Sequence, residues 1–182
     1  MDLRVEKRLG LKELVGKVMS AQEAAALIED GSVVGMSGFT RAGDAKVIPM
    51  ALVERAKNEK FQIDVYTGAS LGPEVDKYLA EAGVIRKRGP FQADSGTRNL
   101  VNAGKMTYVD AHLSHNAELV RQGIIGPIKH AIIEATAITE DGMIIPTTSV
   151  GNSPIFVDYA ENIIIELNIS HPESLIGIHD IY

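Results

Sequence analysis

The sequence predicts an open, mostly parallel α/β sheet with helices on both faces. Apolar runs of strand length alternate with segments that carry helix-start and helix-end signals. Three of the runs break into loops of Gly, Ser and Thr, as strands of an open sheet do where a ligand binds. The continuous apolar run at 162–168 suits a central strand that is covered on both faces. The 182 residues fit a single domain, 1–182.

The first two thirds of the chain predict alternating elements. Ser20 and Glu23 have the spacing of a capping box, and Gly31 ends the helix that follows. Pro49 suits the first turn of the next helix, because that turn needs no amide donor. Similar signals predict, in chain order, helix 20–28, strand 33–36, helix 48–58, strand 61–66, helix 73–82, helix 97–103 and helix 114–122.

The last third predicts a hairpin followed by a helix and a strand. Residues 130–138 are mostly β-branched or small, and 140–142 form a turn signal that leads into 143–145. A helix at 154–161 then precedes the apolar run at 162–168.

Composition and charge exclude several classes of protein. A net charge of -6 and a pI near 5.4 argue against nucleic-acid binding. The chain has no cysteine, so disulfides, thiolate metal sites and cysteine nucleophiles are excluded, which fits a reducing cytoplasm. Neither a signal peptide nor a bilayer-spanning run is evident. We therefore expect a soluble cytoplasmic protein with no nucleic-acid or membrane partner.

The loops of small residues lie at 35–40, 67–70 and 147–153. Such residues let a ligand approach the backbone and offer N–H and hydroxyl donors. The first loop nearly matches a phosphate-binding P-loop, but Asp44 occupies the lysine position and Ala45 the hydroxyl position. The glycine spacing of a dinucleotide fingerprint is also missing. A nucleotide site is therefore not predicted.

The second loop contains Gly68-Ala-Ser-Leu-Gly72, a formal match to the nucleophile elbow of serine hydrolases. Ser70 is then either a nucleophile or a cap of the helix that follows. Acid and base candidates occur in the chain order that the motif requires: Glu134 or Asp158, and His171 or His179.

Other polar residues have a structural interpretation beside a functional one. His112 and His115 have metal-ligand spacing, but a third ligand is not evident and surface histidines are commoner, so no metal is predicted. Glu134 lies in an apolar strand and is either a base or nucleophile, or the partner of a lysine or of backbone amides; we favour the structural role. The triplet Arg86-Lys-Arg88 can meet a phosphate, but a solvated strand end is favoured.

Five motifs in order along the chain resemble the acetyl-CoA hydrolase/transferase family. They are Gly35-Met-Ser-Gly-Phe-Thr-Arg-Ala-Gly43, Thr67-Gly-Ala-Ser-Leu-Gly-Pro73, Glu134-Ala-Thr-Ala-Ile-Thr-Glu-Asp-Gly142, Pro146-Thr-Thr-Ser-Val-Gly-Asn-Ser153 and Gly177-Ile-His-Asp-Ile-Tyr182. The resemblance implies an enzyme that exchanges CoA between a short acyl-CoA and a carboxylate such as acetate or succinate, or that hydrolyses acetyl-CoA. It implies CoA as a substrate and no permanently bound cofactor.

The resemblance also implies that the chain is half of an enzyme. Family members consist of two similar α/β halves, and the nucleophilic glutamate lies in the second half, whereas this sequence resembles the first. No catalytic residue is therefore expected here, and the chain alone should be inactive. The expected partners are an acyl-CoA, a small carboxylate and the C-terminal half of the enzyme, with self-association as a further expectation.

By the same resemblance, the loops should form one wall of the cleft that holds the acyl or carboxylate group. The residues expected to face it are Ser37, Gly38, Phe39, Thr40, Ser70, Val150, Gly151 and Asn152. Two alternatives remain at this stage. One is a self-contained serine esterase or thioesterase that uses Ser70, and the other is a non-catalytic module that binds acyl-CoA or carboxylate.

Overall fold

The computed structural model describes residues 2–177 and 181. Within this part of the chain, seven strands form one sheet: β1 Val33–Met36, β2 Ile63–Tyr66, β3 Ile85–Gly89, β4 Thr107–Tyr108, β5 Ile128–Ile138, β6 Ile144–Pro146 and β7 Ala160–Leu167. Their order across the sheet is β4-β3-β2-β1-β5-β6, and β7 pairs with β5. All pairings are parallel except that of β5 with β6.

Short helices connect the strands. Ser20 and Glu23 form the predicted capping box. Segment Glu74–Leu79 is wound as a π-helix, and short 3-10 turns occur at Lys12–Lys17, Leu113–His115 and Glu173–Leu175. No helix in the described part of the chain has the length and apolar character needed to cross a bilayer. The α-helices are α1 Leu3–Glu6, α2 Ala21–Ala26, α3 Val47–Ala56, α4 Ser95–Asn102, α5 Asn116–Arg121 and α6 Ser153–Tyr159.

The sheet is covered by helices on both faces, as predicted. One hydrophobic cluster includes side chains of α2 and α3, such as Leu52. A second cluster includes side chains of α5 and α6, such as Phe156. Ile132 and Ile133 are neighbours on β5, yet they belong to different clusters. Since successive strand residues point to opposite faces, the two clusters lie on opposite sides of the sheet.

The predicted position of the strand at 162–168 is wrong. β7 pairs only with β5 among the described residues, and none of its residues is buried. Ile163 is 45% exposed. The eleven-residue β5 occupies the buried position instead, with strands on both of its edges. A continuous apolar run shows that a strand is hydrophobic, but it does not show whether anything covers it.

The N-terminus of α3 is capped from β7. The Glu166 carboxylate accepts hydrogen bonds from the backbone N–H groups of Lys46 at 2.8 Å, Val47 at 3.0 Å and Ile48 at 3.0 Å. α3 has no side-chain cap of its own. A carboxylate at this end of a helix satisfies free N–H groups and complements the helix dipole.

Replacing Glu166 with Ala is expected to lower the free energy of unfolding by about 1–2 kcal/mol, the usual cost of losing a charged cap. Urea denaturation provides the measurement. Glu161→Ala is the matched control, because Glu161 lies on the same strand but only forms an exposed ion pair with Lys129. It should cost less than about 1 kcal/mol. Equal losses for the two variants would contradict the capping role.

His130 on β5 is 3% exposed, and neither ring nitrogen has a hydrogen-bond partner within the described residues. Burial lowers the pKa of His130, although the charge of Glu29 opposes this shift. The folded state therefore resists protonation at a pH where the unfolded histidine, with a pKa of about 6.5, accepts a proton.

Stability should therefore fall as the pH drops below about 6.5, with a limiting slope of about 1.4 kcal/mol per pH unit from this one group. His130→Gln removes this contribution, so its unfolding free energy should depend less steeply on pH between about 7 and 5. Urea denaturation at several pH values measures the difference. His112→Gln, at an exposed histidine, should keep the original slope. A slope that is unchanged in His130→Gln would contradict the interpretation.

Candidate functional site

The loops that follow β1, β2 and β6 meet at one edge of the sheet. We define them as the first loop, residues 37–46, the second loop, residues 67–73, and the third loop, residues 147–152. β1 and β2 are parallel neighbours, so the first two loops leave the same edge. β6 runs antiparallel to β5, which returns the chain so that the third loop contacts the other two.

Asn152 joins the third loop to both of the others. Its backbone N–H donates to Ser37 Oγ at 2.6 Å, and its side-chain Nδ2 donates to the Thr67 carbonyl at 3.3 Å. The neighbouring Gly151 has a φ of +54°. A Cβ there would lie 2.4 Å from Ser37 Oγ and 2.8 Å from the Gly38 carbonyl oxygen. The close contact of these loops therefore requires glycine at position 151.

Thr40 joins the first loop to the second. Its N–H donates to the Ser70 carbonyl at 2.9 Å. Thr40 has a φ of +63°, and among the described residues it is the one non-glycine with positive φ. A β-branched residue rarely adopts this conformation, which costs about 1–3 kcal/mol. Backbone strain of this kind often marks functional loops.

The structure brings the sequence-predicted site residues into this region with different exposure. Ser37, Gly38 and Ser70 are buried, Val150 and Asn152 are half-buried, and Phe39, Thr40 and Gly151 are exposed. The large side chain of Phe39 is 61% exposed and lies at the tip of the first loop. The buried serines form the inner part of this surface, and the exposed Phe39 and Thr40 form its outer part. Whether a ligand binds there stays a prediction.

An ionic network links the first and third loops to β5; its carboxylates are buried, and the Lys46 side chain between them is 40% exposed. Lys46 Nζ contacts the Asp44 carbonyl oxygen, Asp44 Oδ1 at 3.3 Å and Glu134 Oε1 at 3.1 Å. Glu134 also accepts hydrogen bonds from Thr147 Oγ1 and from Asn168 Nδ2, the latter at 2.9 Å. Burial lowers the pKa of Lys46, but the carboxylates of Asp44 and Glu134 outweigh it and raise this pKa overall. The favoured structural role of Glu134, as the partner of a lysine, agrees with this geometry.

Neither Lys46 nor Asp44 was predicted as a site residue, and Asp44 stood out only as a mismatch to the P-loop. The sequence did contain a signal for these two residues, because they are the charged residues in an otherwise small and apolar run from 42 to 53. The partner Glu134 lies far away in sequence, so the pairing could not be read from spacing.

The interpretation of the basic triplet as a solvated strand end is wrong for Arg88, whereas Arg86 is exposed and Lys87 is half-buried. Arg88 is fully buried, and its Nε and Nη2 donate to Asp76 Oδ1 at 3.0 and 2.8 Å. Arg86 and Lys87 form ion pairs with the buried Asp64. Burial raises the pKa of Asp64, but the two cations lower it by more, so its pKa lies below the ordinary value. The three positive charges are therefore each paired with a buried carboxylate, which argues against a phosphate site here.

A serine hydrolase triad is not assembled in the described part of the chain. No histidine ring nitrogen there hydrogen-bonds to Ser70 or to either acid candidate, and His179 lies outside the described residues. His171 contributes its backbone carbonyl to Arg8. Ser70 does not cap the helix that follows either, because Glu74–Leu79 has no side-chain cap.

The two neighbouring histidines interact with each other and with a serine. The ring centroids of His112 and His115 are 5.5 Å apart, and His112 Nδ1 lies 2.9 Å from Ser114 Oγ. Across residues 2–177 and 181, no group of three or more His, Asp or Glu side chains is placed to hold a metal ion.

Comparison with known proteins gives one family. The model of the acetyl-CoA hydrolase/transferase N-terminal domain matches residues 3–182. The chain is 44% identical to the succinyl-CoA:acetate CoA-transferase of Clostridium kluyveri, over 97% of this chain and 33% of the relative. It is 36% identical to the acetyl-CoA hydrolase of Saccharomyces cerevisiae, over 97% of this chain and 35% of the relative. The chain thus spans about a third of the length of these relatives.

Solved structures show the same fold at low sequence identity. RipA from Yersinia pestis matches with a TM-score of 0.69 and 20% identity, over 94% of this chain and 40% of RipA. Glutaconate coenzyme A-transferase from Acidaminococcus fermentans matches with a TM-score of 0.64 and 15% identity, over 82% of this chain and 68% of the other.

Proposed function

Because the chain belongs to the acetyl-CoA hydrolase/transferase family, we propose that it forms one wall of a cleft in which CoA passes between a short acyl-CoA and a carboxylate. The carboxylate is acetate or succinate, in line with the name of the Clostridium relative, succinyl-CoA:acetate CoA-transferase. CoA is a substrate here and no cofactor is permanently bound. The absence of cysteine supports a cytoplasmic location.

The convergence of the three loops carries this proposal. They bring Ser37, Ser70 and Asn152 into one region with several glycines, and Phe39 is the one large apolar side chain at the tip. Backbone N–H groups and hydroxyls hold a carboxylate and stabilise an oxyanion, and small side chains leave room for the narrow pantetheine arm. In the first loop, Asp44 occupies the position that a lysine holds in a phosphate-binding P-loop. We therefore place the adenine and phosphates of CoA mainly on the other half of the enzyme.

We assign the nucleophile to the C-terminal half of the full-length enzyme. A glutamate there attacks the thioester, forming an acyl-glutamyl anhydride and releasing CoA thiolate. The thiolate then attacks the glutamyl carbonyl, giving an enzyme-CoA thioester and the free acid, and the acceptor carboxylate completes the exchange. Glu134 does not fill this role, because its oxygens already accept from Lys46, Thr147 and Asn168.

The test measures transfer of CoA from succinyl-CoA to isotope-labelled acetate. The isolated chain should show no exchange, whereas the full-length Clostridium kluyveri transferase, as the positive control, should show it. Adding the remaining two thirds of that relative to this chain should restore some exchange if the halves associate. Robust exchange by the isolated chain would contradict the proposal.

The serine esterase alternative makes the opposite prediction for the isolated chain. Ser70 would then be labelled by a serine-directed phosphonate, and Ser70→Ala would abolish both labelling and turnover. We expect no labelling. The remaining alternative is a module that binds acetyl-CoA or acetate but takes no part in catalysis, alone or with the C-terminal half. Titration calorimetry measures this binding, and the exchange assay shows whether turnover accompanies it.

A further inference from the structure

Three consecutive residues of the second loop are each fixed by a hydrogen bond. The Ser70 carbonyl accepts from Thr40 N–H at 2.9 Å. The Leu71 N–H donates to Asp76 Oδ2 at 2.7 Å, and the Gly72 N–H donates to Asp44 Oδ2 at 2.8 Å. The backbone on the C-terminal side of Ser70 is therefore held by two carboxylates from different parts of the chain.

Both carboxylates are buried, and each contacts a cation, although Asp44 shares Lys46 with Glu134. Asp44 is fully buried and Asp76 is 2% exposed. The second oxygen of Asp76 binds Arg88 at 2.8 Å, and the second oxygen of Asp44 lies 3.3 Å from Lys46 Nζ. A carboxylate held by a cation on one oxygen has little freedom to rotate the other oxygen away from its N–H donor. Hydrogen bonds to ionised groups are also stronger than neutral ones.

The approach of Asp44 depends on the absence of a side chain at Gly72. A Cβ at that position would lie 2.7 Å from Asp44 Oδ2. The buried pair of Asp76 with Arg88 contributes less to stability than apolar packing of the same volume, and the Lys46 side chain of the other pair is 40% exposed, so stabilising energy alone does not explain the two pairs. What they provide is a fixed position for the loop.

The backbone next to Ser70 is fixed by hydrogen bonds, but the Ser70 hydroxyl is not. The residue is 7% exposed, and Ser70 Oγ has no hydrogen-bond partner within the described part of the chain. In contrast, the buried Ser37 hydroxyl already accepts from Asn152 N–H. Of the two buried serines among the predicted site residues, Ser70 is thus the one whose hydroxyl is available to a ligand.

We propose that Asp44 and Asp76 are positioning residues, which hold the second loop so that Ser70 Oγ points at the bound acyl or carboxylate group. They act through the backbone of Leu71 and Gly72 and do not touch the ligand. The identity of that ligand rests on the proposed function. The holding of the loop rests only on the contacts above.

Amide hydrogen exchange, followed by NMR on the isolated chain, tests the holding of the loop. Asp44→Asn retains the volume and an acceptor oxygen but removes the charge. Exchange at Gly72 should become about 10–100-fold faster, as expected for weakening one hydrogen bond to a charged group. Asp76→Asn should act in the same way at Leu71. In Asp44→Asn, amides of the central strands, such as Ile132, should keep their rates.

Glu54→Gln is the matched control, since it removes a charge from an exposed pair with Lys57. It should leave the loop amides unchanged. Should Asp44→Asn fail to fold, Lys46→Gln removes only the cation, and it should still accelerate exchange at Gly72. Unchanged rates at Leu71 and Gly72 in folded variants would overturn the proposal.

Acetate titration of the same samples separates a positioning role from a merely structural one. Asp44→Asn should bind acetate about tenfold more weakly although Ser70 is intact, a loss equivalent to one hydrogen bond. Faster local exchange with unchanged acetate affinity would overturn the positioning role. If the unmodified chain bound no acetate while exchange still became faster in the variants, the proposed function would fail and the holding of the loop would stand.

Discussion

Replacing Arg88 with Met is expected to lower the free energy of unfolding by about 3–5 kcal/mol, because it leaves the Asp76 carboxylate buried without a countercharge. Arg88 is fully buried on β3 and donates two hydrogen bonds to Asp76 Oδ1. It also donates to the Gly89 carbonyl at 2.6 Å. The methionine chain fills most of the same space, so the loss reports on charge and hydrogen bonding more than on packing.

Arg86→Met is the matched control on the same strand. Arg86 is half exposed, and its partner Asp64 retains Lys87 as a second cation. This change should cost less than about 1 kcal/mol. Combining Arg88→Met with Asp76→Asn should recover part of the loss, because the amide carries no charge. Urea denaturation measures all three variants. Equal losses in the free energy of unfolding for Arg88→Met and Arg86→Met would show that the buried pair stabilises the fold no more than the pair of Arg86 with Asp64 does.

Replacing Phe156 with Ala is expected to cost about 3–5 kcal/mol, the usual range for a large buried side chain. Phe156 is fully buried in α6 and belongs to the cluster that covers one face of the sheet. Its ring packs against Gly35 on β1, where a Cβ would lie 2.6 Å from the ring Cγ. Because α6 begins where the third loop ends, this contact also ties that loop to the strand that leads into the first loop.

Phe91→Ala is the control for Phe156→Ala, since Phe91 is 44% exposed and should tolerate truncation with a loss below about 1 kcal/mol. Thermal and urea denaturation of both variants provide the measurement. Similar losses at the two positions would contradict the assignment of Phe156 to the core. Gly35→Ala should in turn cost about 1–3 kcal/mol by overpacking. Combining it with Phe156→Leu should relieve part of that cost.

Elements with strong local signals could be predicted from the sequence. Strand β1 has the predicted bounds, the Ser20 capping box is present, and the turn at 140–142 joins the antiparallel strands β5 and β6. These features depend on neighbouring residues, such as the glycine of the turn or the cap of a helix. Their information is therefore contained in a short window of sequence.

Elements stabilised by distant residues could not be predicted. Strand β3 contains three consecutive basic residues, which indicate only a solvated strand end until Asp64 and Asp76 supply the opposite charge. The three loops were identified because glycine, serine and threonine mark such loops locally. The carboxylates that fix the second loop were missed, because the contacts between Asp44 and Gly72 and between Lys46 and Glu134 join residues far apart in sequence.

The open edge of β7 has a practical consequence for handling this chain in solution. Eight residues of extended backbone have no partner on that edge within the described chain, and they include three consecutive isoleucines. An uncovered edge of this composition acts as a template onto which another extended chain can add. Concentrated preparations of the isolated chain are therefore expected to form sheet-rich aggregates at a rate that rises with concentration, and a lysine at Ile163 should slow their growth.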